Sequence, residues 1–270
     1  MRIWKGGGVP LYYENAIGKI YYEVHGAKNA PPVIFTHGVM MDHRTFREQV
    51  EALKEEYQVI VWDMPYHGKS SSIDEGLHLS GTAADFLIEL MDHLMIEKAI
   101  LGGLSFGTIV SQRVASKNPD RVTAMIQISG QSLYPKGSWF LNLLKPLFHI
   151  ITTLQSEKRG AISFAKHKTI TPHTLEYLED TYLRTGKNTF IHLTKELIGD
   201  LVTGIPAPLK QPMLILYGDH EPRAVQKMHR KWHSNAANSE IVMIENAHHI
   251  TNQDHPEAVN QAIRSFVFSL

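Results

Sequence analysis

A serine between two glycines, Gly103-Leu104-Ser105-Phe106-Gly107, lies where an apolar run gives way to a helix-like one, and no other stretch constrains the fold so much. The residues Lys98 to Leu101 read as a strand end. Thr108 to Ala115 read as a helix that stops before Asn118-Pro119. A serine on a sharp strand-to-helix turn is held in strained backbone angles with its hydroxyl pushed into the open. Side chains at the flanking positions would collide as strand and helix converge, which is the reason for glycine on both sides. The pattern alone is weak evidence; its setting between a strand and a helix gives it weight.

The rest of the chain alternates in the same way. Lys19 to Val24 has the period of an antiparallel edge strand, and Val33 to Thr36 is short and apolar, as buried parallel strands are. Asp42 to Glu56 has helical spacing, Gln58 to Trp62 is the next strand, and Thr82 to Leu94 is an amphipathic helix. Ala99 to Leu104, Val122 to Ile128, Met213 to Tyr217 and Glu240 to Ile244 follow as strands, with helices at Arg223 to His233 and Glu257 to Phe268. Such alternation predicts an α/β protein: a mostly parallel sheet with helices on both faces. Residues 131–206 break the rhythm with helical pieces only: Trp139 to Leu154, Gly160 to His167, Pro172 to Arg184 and Phe190 to Val202. They read as a helical insertion, with 1–130 and 207–270 forming the core domain. Its most apolar part, Trp139 to Ile151, is either a packed helix interrupted at Pro146 or the lining of a greasy entrance.

Composition removes several function classes. Lys plus Arg and Asp plus Glu stand at 27 each, so the basic surplus of a nucleic-acid binder is missing. The chain has no cysteine, which excludes thiol catalysis and thiolate metal sites. The many histidines show no H-E-x-x-H spacing, so no metal is expected. No apolar run reaches membrane-span length, and Met1 to Gly8 lack a signal-peptide core, so the expected location is the cytoplasm.

A serine hydroxyl is a poor nucleophile near neutral pH. It needs a base, a group that orients the base, and donors for the oxyanion that forms. His249 follows the last strand, where it can reach over the carboxyl ends of the sheet; its neighbour His248 is the competing base. The orienting acid lies in Tyr217-Gly218-Asp219-His220-Glu221-Pro222, with Asp219 and Glu221 both candidates. The oxyanion donors are expected to be the backbone N–H of Phe106, just after the serine, and of Val39, in the turn Thr36-His37-Gly38-Val39-Met40.

The order of these motifs resembles the α/β-hydrolase superfamily over essentially the whole chain. The turn at His37-Gly38 comes first. Asp63 to Ser70 then resembles the segment D-x-x-G-x-G-x-S, with Tyr66 in place of the first glycine. The serine turn, a helical cap, an acid loop and a histidine loop follow. The resemblance implies a helical cap (lid) at 131–206 and favours Glu221 over Asp219, since the usual acid loop G-x-x-D counted from Gly218 lands on Glu221. It favours His249 as base, since His249, Asp254 and Pro256 fit the usual spacing, with His248 where glycine is expected. It further implies a serine hydrolase acting on a small carboxylic ester with a hydrophobic acyl or alcohol part, through a Ser105-His249-Glu221 triad and an acyl-enzyme, with no cofactor. Thioesterases, amidases, C–C bond hydrolases, acyltransferases and cofactor-free haloperoxidases share that machinery. A non-catalytic small-molecule binder on the same fold is the alternative of another class.

Overall fold

The structure is a computed structural model and describes residues 9–74, 76–137, 142, 143, 146, 150 and 152–270. Alternating apolar side chains put the strands at its centre. In β3 (Pro32–Thr36), Val33 and Phe35 pack on one face and Ile34 on the other. In β4 (Gln58–Trp62), Val59 and Val61 oppose Ile60 and Trp62 in the same way. With β1 (Val9–Glu14), β2 (Lys19–His25), β5 (Ala99–Leu104), β6 (Val122–Ile128), β7 (Met213–Gly218) and β8 (Ser239–Ile244), they form one sheet in the order β1-β2-β4-β3-β5-β6-β7-β8. β2 pairs antiparallel with β1 and with β4, and the remaining pairs are parallel.

Helices cover both faces. Leu87 and Met91 of α2 (Leu79–His93) and Val110 and Val114 of α3 (Phe106–Lys117) pack on the Ile34 side, as does Trp232 of α7 (Arg223–Asn235). Val50 and Leu53 of α1 (Arg47–Leu53) pack on the Phe35 side, as do Val259 and Ile263 of α9 (Pro256–Phe268). Two expectations need correction. Lys19 to Val24 is not an edge strand, because β1 pairs along it from Val9 to Glu14; Pro10 lacks an N–H, which an edge strand tolerates. The helix expected over Asp42 to Glu56 is shorter and split. A 3₁₀ turn at His43–Phe46 precedes α1, because Asp42 caps the turn by accepting from the Arg44 N–H and Asp63 accepts the His43 N–H.

Between β6 and β7 the chain leaves the sheet and forms α4 (Glu157–Lys166), α5 (Pro172–Thr185) and α6 (Lys187–Thr203). The helix expected over Trp139 to Leu154, with its break at Pro146, lies largely outside the described residues. Polar contacts fix α4 to α6 onto the rest. Glu196 accepts the Leu79 N–H at the start of α2 at 2.8 Å. Buried Asp200 accepts from Ser80 and forms an ion pair with Arg113 on the serine helix α3. Tyr177 accepts the Asp42 N–H at 2.9 Å. Near α8 (Thr251–Asp254), Lys168 accepts the Ile250 N–H at 2.8 Å, and Asp254 accepts the hydroxyls of Thr169 and Thr171.

Candidate active site

Ser105 sits between β5 and α3 with φ 54° and ψ −114°, left-handed backbone that an L-residue with a side chain adopts only when its surroundings impose it. The surroundings do so by close packing. A Cβ on Gly103 would run into the backbone of Gly107, and a Cβ on Gly107 into the Thr36 carbonyl. The Ser105 N–H donates to the Ile128 carbonyl at 2.9 Å, and the Thr108 hydroxyl donates to the Ser105 carbonyl at 2.6 Å. Strand and helix therefore pinch the turn, and the hydroxyl points out of it.

His249 and Glu221 come from the loops after β8 and β7. His249 Nε2 lies 3.0 Å from Ser105 Oγ, and His249 Nδ1 lies 2.8 Å from Glu221 Oε1. Asp219 does not reach His249. Its Oδ1 accepts the Ala247 N–H at 3.1 Å and faces His220 Nδ1 at 2.8 Å, which braces the acid loop against the histidine loop. His248 does not reach Ser105 either; its Nδ1 accepts the His249 N–H at 2.7 Å.

The other oxygen of Glu221 has its own partner. His229 of α7 sets Nε2 2.9 Å from Glu221 Oε2, while Tyr217 stacks on the His229 ring at 4.9 Å between centroids. Glu221 and His229 are 3% and 1% exposed, so this bond is shielded from water. The His229 Nδ1 has no partner among the described residues, and Nε2 is the ring nitrogen that donates to Glu221. Burial pushes the Glu221 carboxyl up, but the hydrogen bonds from His229 and His249 outweigh it and hold the group at about 2. Burial and then the Lys168 ammonium push His249 down to about 4 against the pull of Glu221. A charged carboxylate thus holds a neutral imidazole, the arrangement a general base requires.

The turn expected to supply the second oxyanion donor lies against the serine. A Cβ on Gly38 would come within 3.1 Å of the Ser105 Cβ, a tight contact, so glycine eases the close approach of the loop to the serine. Among the described residues the Val39 N–H has no acceptor, and the Phe106 N–H opens α3, beyond the reach of the helix's own ladder. Two buried histidines hold the loop. His37 donates from Nδ1 to the Gly38 carbonyl at 2.8 Å and accepts the Met64 N–H on Nε2 at 2.9 Å. His67 donates from Nδ1 to the Pro65 carbonyl at 2.8 Å and accepts the Met40 N–H at 3.1 Å. Burial, with the nearby His37, pushes His67 down to about 3, so it stays a neutral strut. Tyr66 stands at φ 71°, which explains the glycine of the superfamily segment at this position. Its hydroxyl donates to the Ile73 carbonyl at 2.9 Å, and its ring meets His192 of α6.

Sequence reasoning assigned no role to His67, His229 or Lys168. His67 lies inside the quoted segment Asp63 to Ser70, but nothing there tells a bracing histidine from a surface one. His229 stands eight residues beyond Glu221, two turns into a helix, and only the folded helix aims it back.

The alpha/beta hydrolase fold family matches residues 31–150. The uncharacterized hydrolase YugF of Bacillus subtilis is 20% identical over 92% of this chain and 94% of its own. Carboxylesterase YbfK of the same organism is 22% identical over 99% of this chain and 90% of its own. Among solved structures, a thermophilic esterase from Thermogutta terrifontis superposes with a TM-score of 0.81 at 24% identity, covering 98% of this chain and 99% of that one. The family match begins just before β3 and runs through the serine turn, and the sheet with its covering helices has the α/β-hydrolase fold.

Proposed function

We propose that this hydrolase cleaves a carboxylic ester through Ser105, His249 and Glu221. The observation that carries the reading is the continuous relay from Ser105 Oγ through His249 to Glu221, at 3.0 and 2.8 Å, on a serine with left-handed backbone. In this reading His249 Nε2 takes the hydroxyl proton as Ser105 Oγ bonds to the carbonyl carbon. The Val39 and Phe106 N–H groups bind the oxyanion, where preorganised donors act most strongly. His249 then protonates the leaving alkoxide as the C–O bond breaks. Water, deprotonated by the same imidazole, releases the acid from the acyl-enzyme. Glu221 holds the tautomer that keeps Nε2 open to the serine.

The helices α4 to α6 act in this reading as a cap that selects substrates. Support comes from an apolar cluster in which Ala161, Phe164, Tyr182 and Phe190 pack with Val39 and Met40, beside the oxyanion turn. Such a wall suits an apolar acyl group and rewards it by about 0.8 kcal/mol per buried CH₂. The names of the esterase relatives favour an ester bond over an amide or C–C bond. The test is labelling by a fluorophosphonate probe, followed by a screen of esters of graded chain length beside thioesters and amides. Labelling of the wild type and not of Ser105→Ala, with esters turned over fastest, is the expected result; an unlabelled wild type overturns the reading.

A further inference from the structure

The apolar cluster at Val39 and Met40 lies beside the oxyanion turn, and the surroundings of His249 have a different character. The turn between α4 and α5 comes down there. Lys168 accepts the Ile250 N–H at 2.8 Å, which places its backbone one residue from the catalytic base of the proposed reaction. The turn is pinned a second time by Asp254, whose oxygens accept from Thr169, Thr171, Ile170 N–H and His248 N–H. Glu221 is likewise occupied, by His229 and His249. Neither nearby carboxylate is left to pair with Lys168. Among the described residues its ammonium has no hydrogen bond and no ion pair, although the side chain is half-buried.

His248 adds a second donor. Its Nδ1 accepts the His249 N–H at 2.7 Å, so the proton of the neutral ring sits on Nε2. That N–H has no acceptor among the described residues, and His248 is also half-buried. His220, which could have competed, faces Asp219 instead. Two donors from two elements, one of them a cation, therefore flank His249 with no acceptor among the described residues. A partly desolvated cation without a partner is costly unless a ligand supplies the anion.

We propose that Lys168 and His248 form a subsite for a carboxylate carried on the alcohol part of the ester, so that the substrate is an apolar acyl ester of a hydroxy acid. The proposal rests on the serine-hydrolase reading and deepens it. The side of the substrate follows from the geometry of attack. The carbonyl oxygen points to Val39 and Phe106, next to the apolar wall, and the leaving oxygen points to His249, which protonates it. A group beside His249 therefore borders the alcohol. The electrostatics agree. Burial lowers the Lys168 ammonium, and its charge in turn opposes protonation of His249. A substrate carboxylate neutralises that charge and makes His249 a better base only when the right substrate is bound.

The experiment compares 4-(butyryloxy)butanoate with butyl butyrate, and monomethyl adipate with methyl hexanoate, following acid release by pH-stat near pH 8. In the wild type, kcat/KM favours the charged ester of the first pair by about tenfold or more, chiefly through KM, as expected for a charge-assisted contact. The second pair, with its charge on the acyl side, shows no such preference. Lys168→Met abolishes the preference and raises kcat on butyl butyrate severalfold; His248→Phe weakens it; Lys168→Arg retains it. Should Lys168→Met fail to fold, the wild-type comparison of the two pairs with the Lys168→Arg control still decides. Equal or lower kcat/KM for 4-(butyryloxy)butanoate in the wild type, or a preference that survives Lys168→Met, overturns the subsite. Fluorophosphonate labelling of the same preparations separates the two readings: label on Ser105 without the preference overturns the subsite alone, and no label on Ser105 overturns both.

Discussion

The two ends of the relay are held by different means. At the serine end the backbone does the work: a left-handed Ser105, glycines that let β5, α3 and the His37–Gly38 turn touch, and the Ser105–Ile128 ladder bond. At the acid end side chains do it: Glu221 is aimed by His249 on one oxygen and by His229 on the other, with Tyr217 stacked behind His229. Backbone packing tolerates the loss of the serine oxygen, since nothing structural hangs on it. A side-chain clamp passes the loss of any member to its neighbours. The serine end should therefore separate activity from stability, and the acid end should couple them.

Ser105→Ala gives the largest expected effect. Removing the nucleophile of such a triad costs on the order of a millionfold in kcat. The melting temperature stays within a degree or two, because the turn is held from both sides without the hydroxyl. Residual turnover above a few percent in the purified variant would assign the nucleophile elsewhere, and a large loss of stability would break the contrast drawn here.

Glu221→Gln comes next, at about ten-thousandfold in kcat, since an amide no longer holds the productive imidazole tautomer or balances its charge. The amide also confronts two donors where a carboxylate accepted both, so a lower melting temperature is expected with it. Asp219→Asn loses much less activity, because Asp219 braces the Ala247 loop without touching His249. A silent Glu221→Gln beside a dead Asp219→Asn would reverse the two roles.

His229→Phe tests the clamp itself. The ring keeps its stack on Tyr217 and loses the bond to Glu221. Without that bond the carboxylate becomes more basic, and it stabilises the imidazolium of His249 more strongly. Both changes move the acid limb of the pH–kcat/KM profile upward, from the value near 4 set by His249 in the wild type. The expected loss in kcat is about tenfold to a hundredfold, with KM little changed. A profile superimposable on the wild type would show that His229 only fills space.

The same contrast explains what could be read in the sequence. The serine turn was legible because backbone geometry restricts residue type: Gly103 and Gly107 stand where any Cβ would collide with backbone, and Gly38 where one would be tight. The parallel strands were legible because burial on both faces leaves continuous apolar runs such as Val33 to Phe35. The choice between Asp219 and Glu221 was not physical at the level of sequence, since both are carboxylates within one loop. It depends on how β7 ends and on the direction in which α7 carries His229. β1 escaped notice because its pattern, VPLYYE, lacks clean alternation and holds a proline. Lys168 carried no sign at all, because a lysine in a polar turn is ordinary until the carboxylates around it are seen to be taken.

The smallest expected effect concerns stability and pH, and it sets a charged cluster near the serine end against the neutral struts beside it. His43 is buried between Asp63, at 2.8 Å, and Glu23, at 3.4 Å. Burial alone would lower it, but those carboxylates outweigh burial and raise it to about 9. A histidine raised in the folded state contributes stability that is complete below its ordinary value of 6.5 and is lost as pH climbs through about 9. His67 and His249 behave oppositely. Burial lowers them to about 3 and 4, so the unfolded chain binds protons that the folded chain does not, and stability drains away as pH falls below 6.5. Glu221, held near 2, adds to the acid-side loss, as does Glu23, which His25, His43 and Tyr21 hold below the usual carboxylate range against the effect of burial. The two trends cross near pH 6.5. Melting temperatures measured from pH 5 to 10 should peak there and fall by several degrees on either side, and His43→Gln should flatten the alkaline arm while leaving in place the part of the acid arm that His67 and His249 set. An alkaline arm that persists unchanged in His43→Gln would mean that the cluster does not carry the pH dependence of the fold.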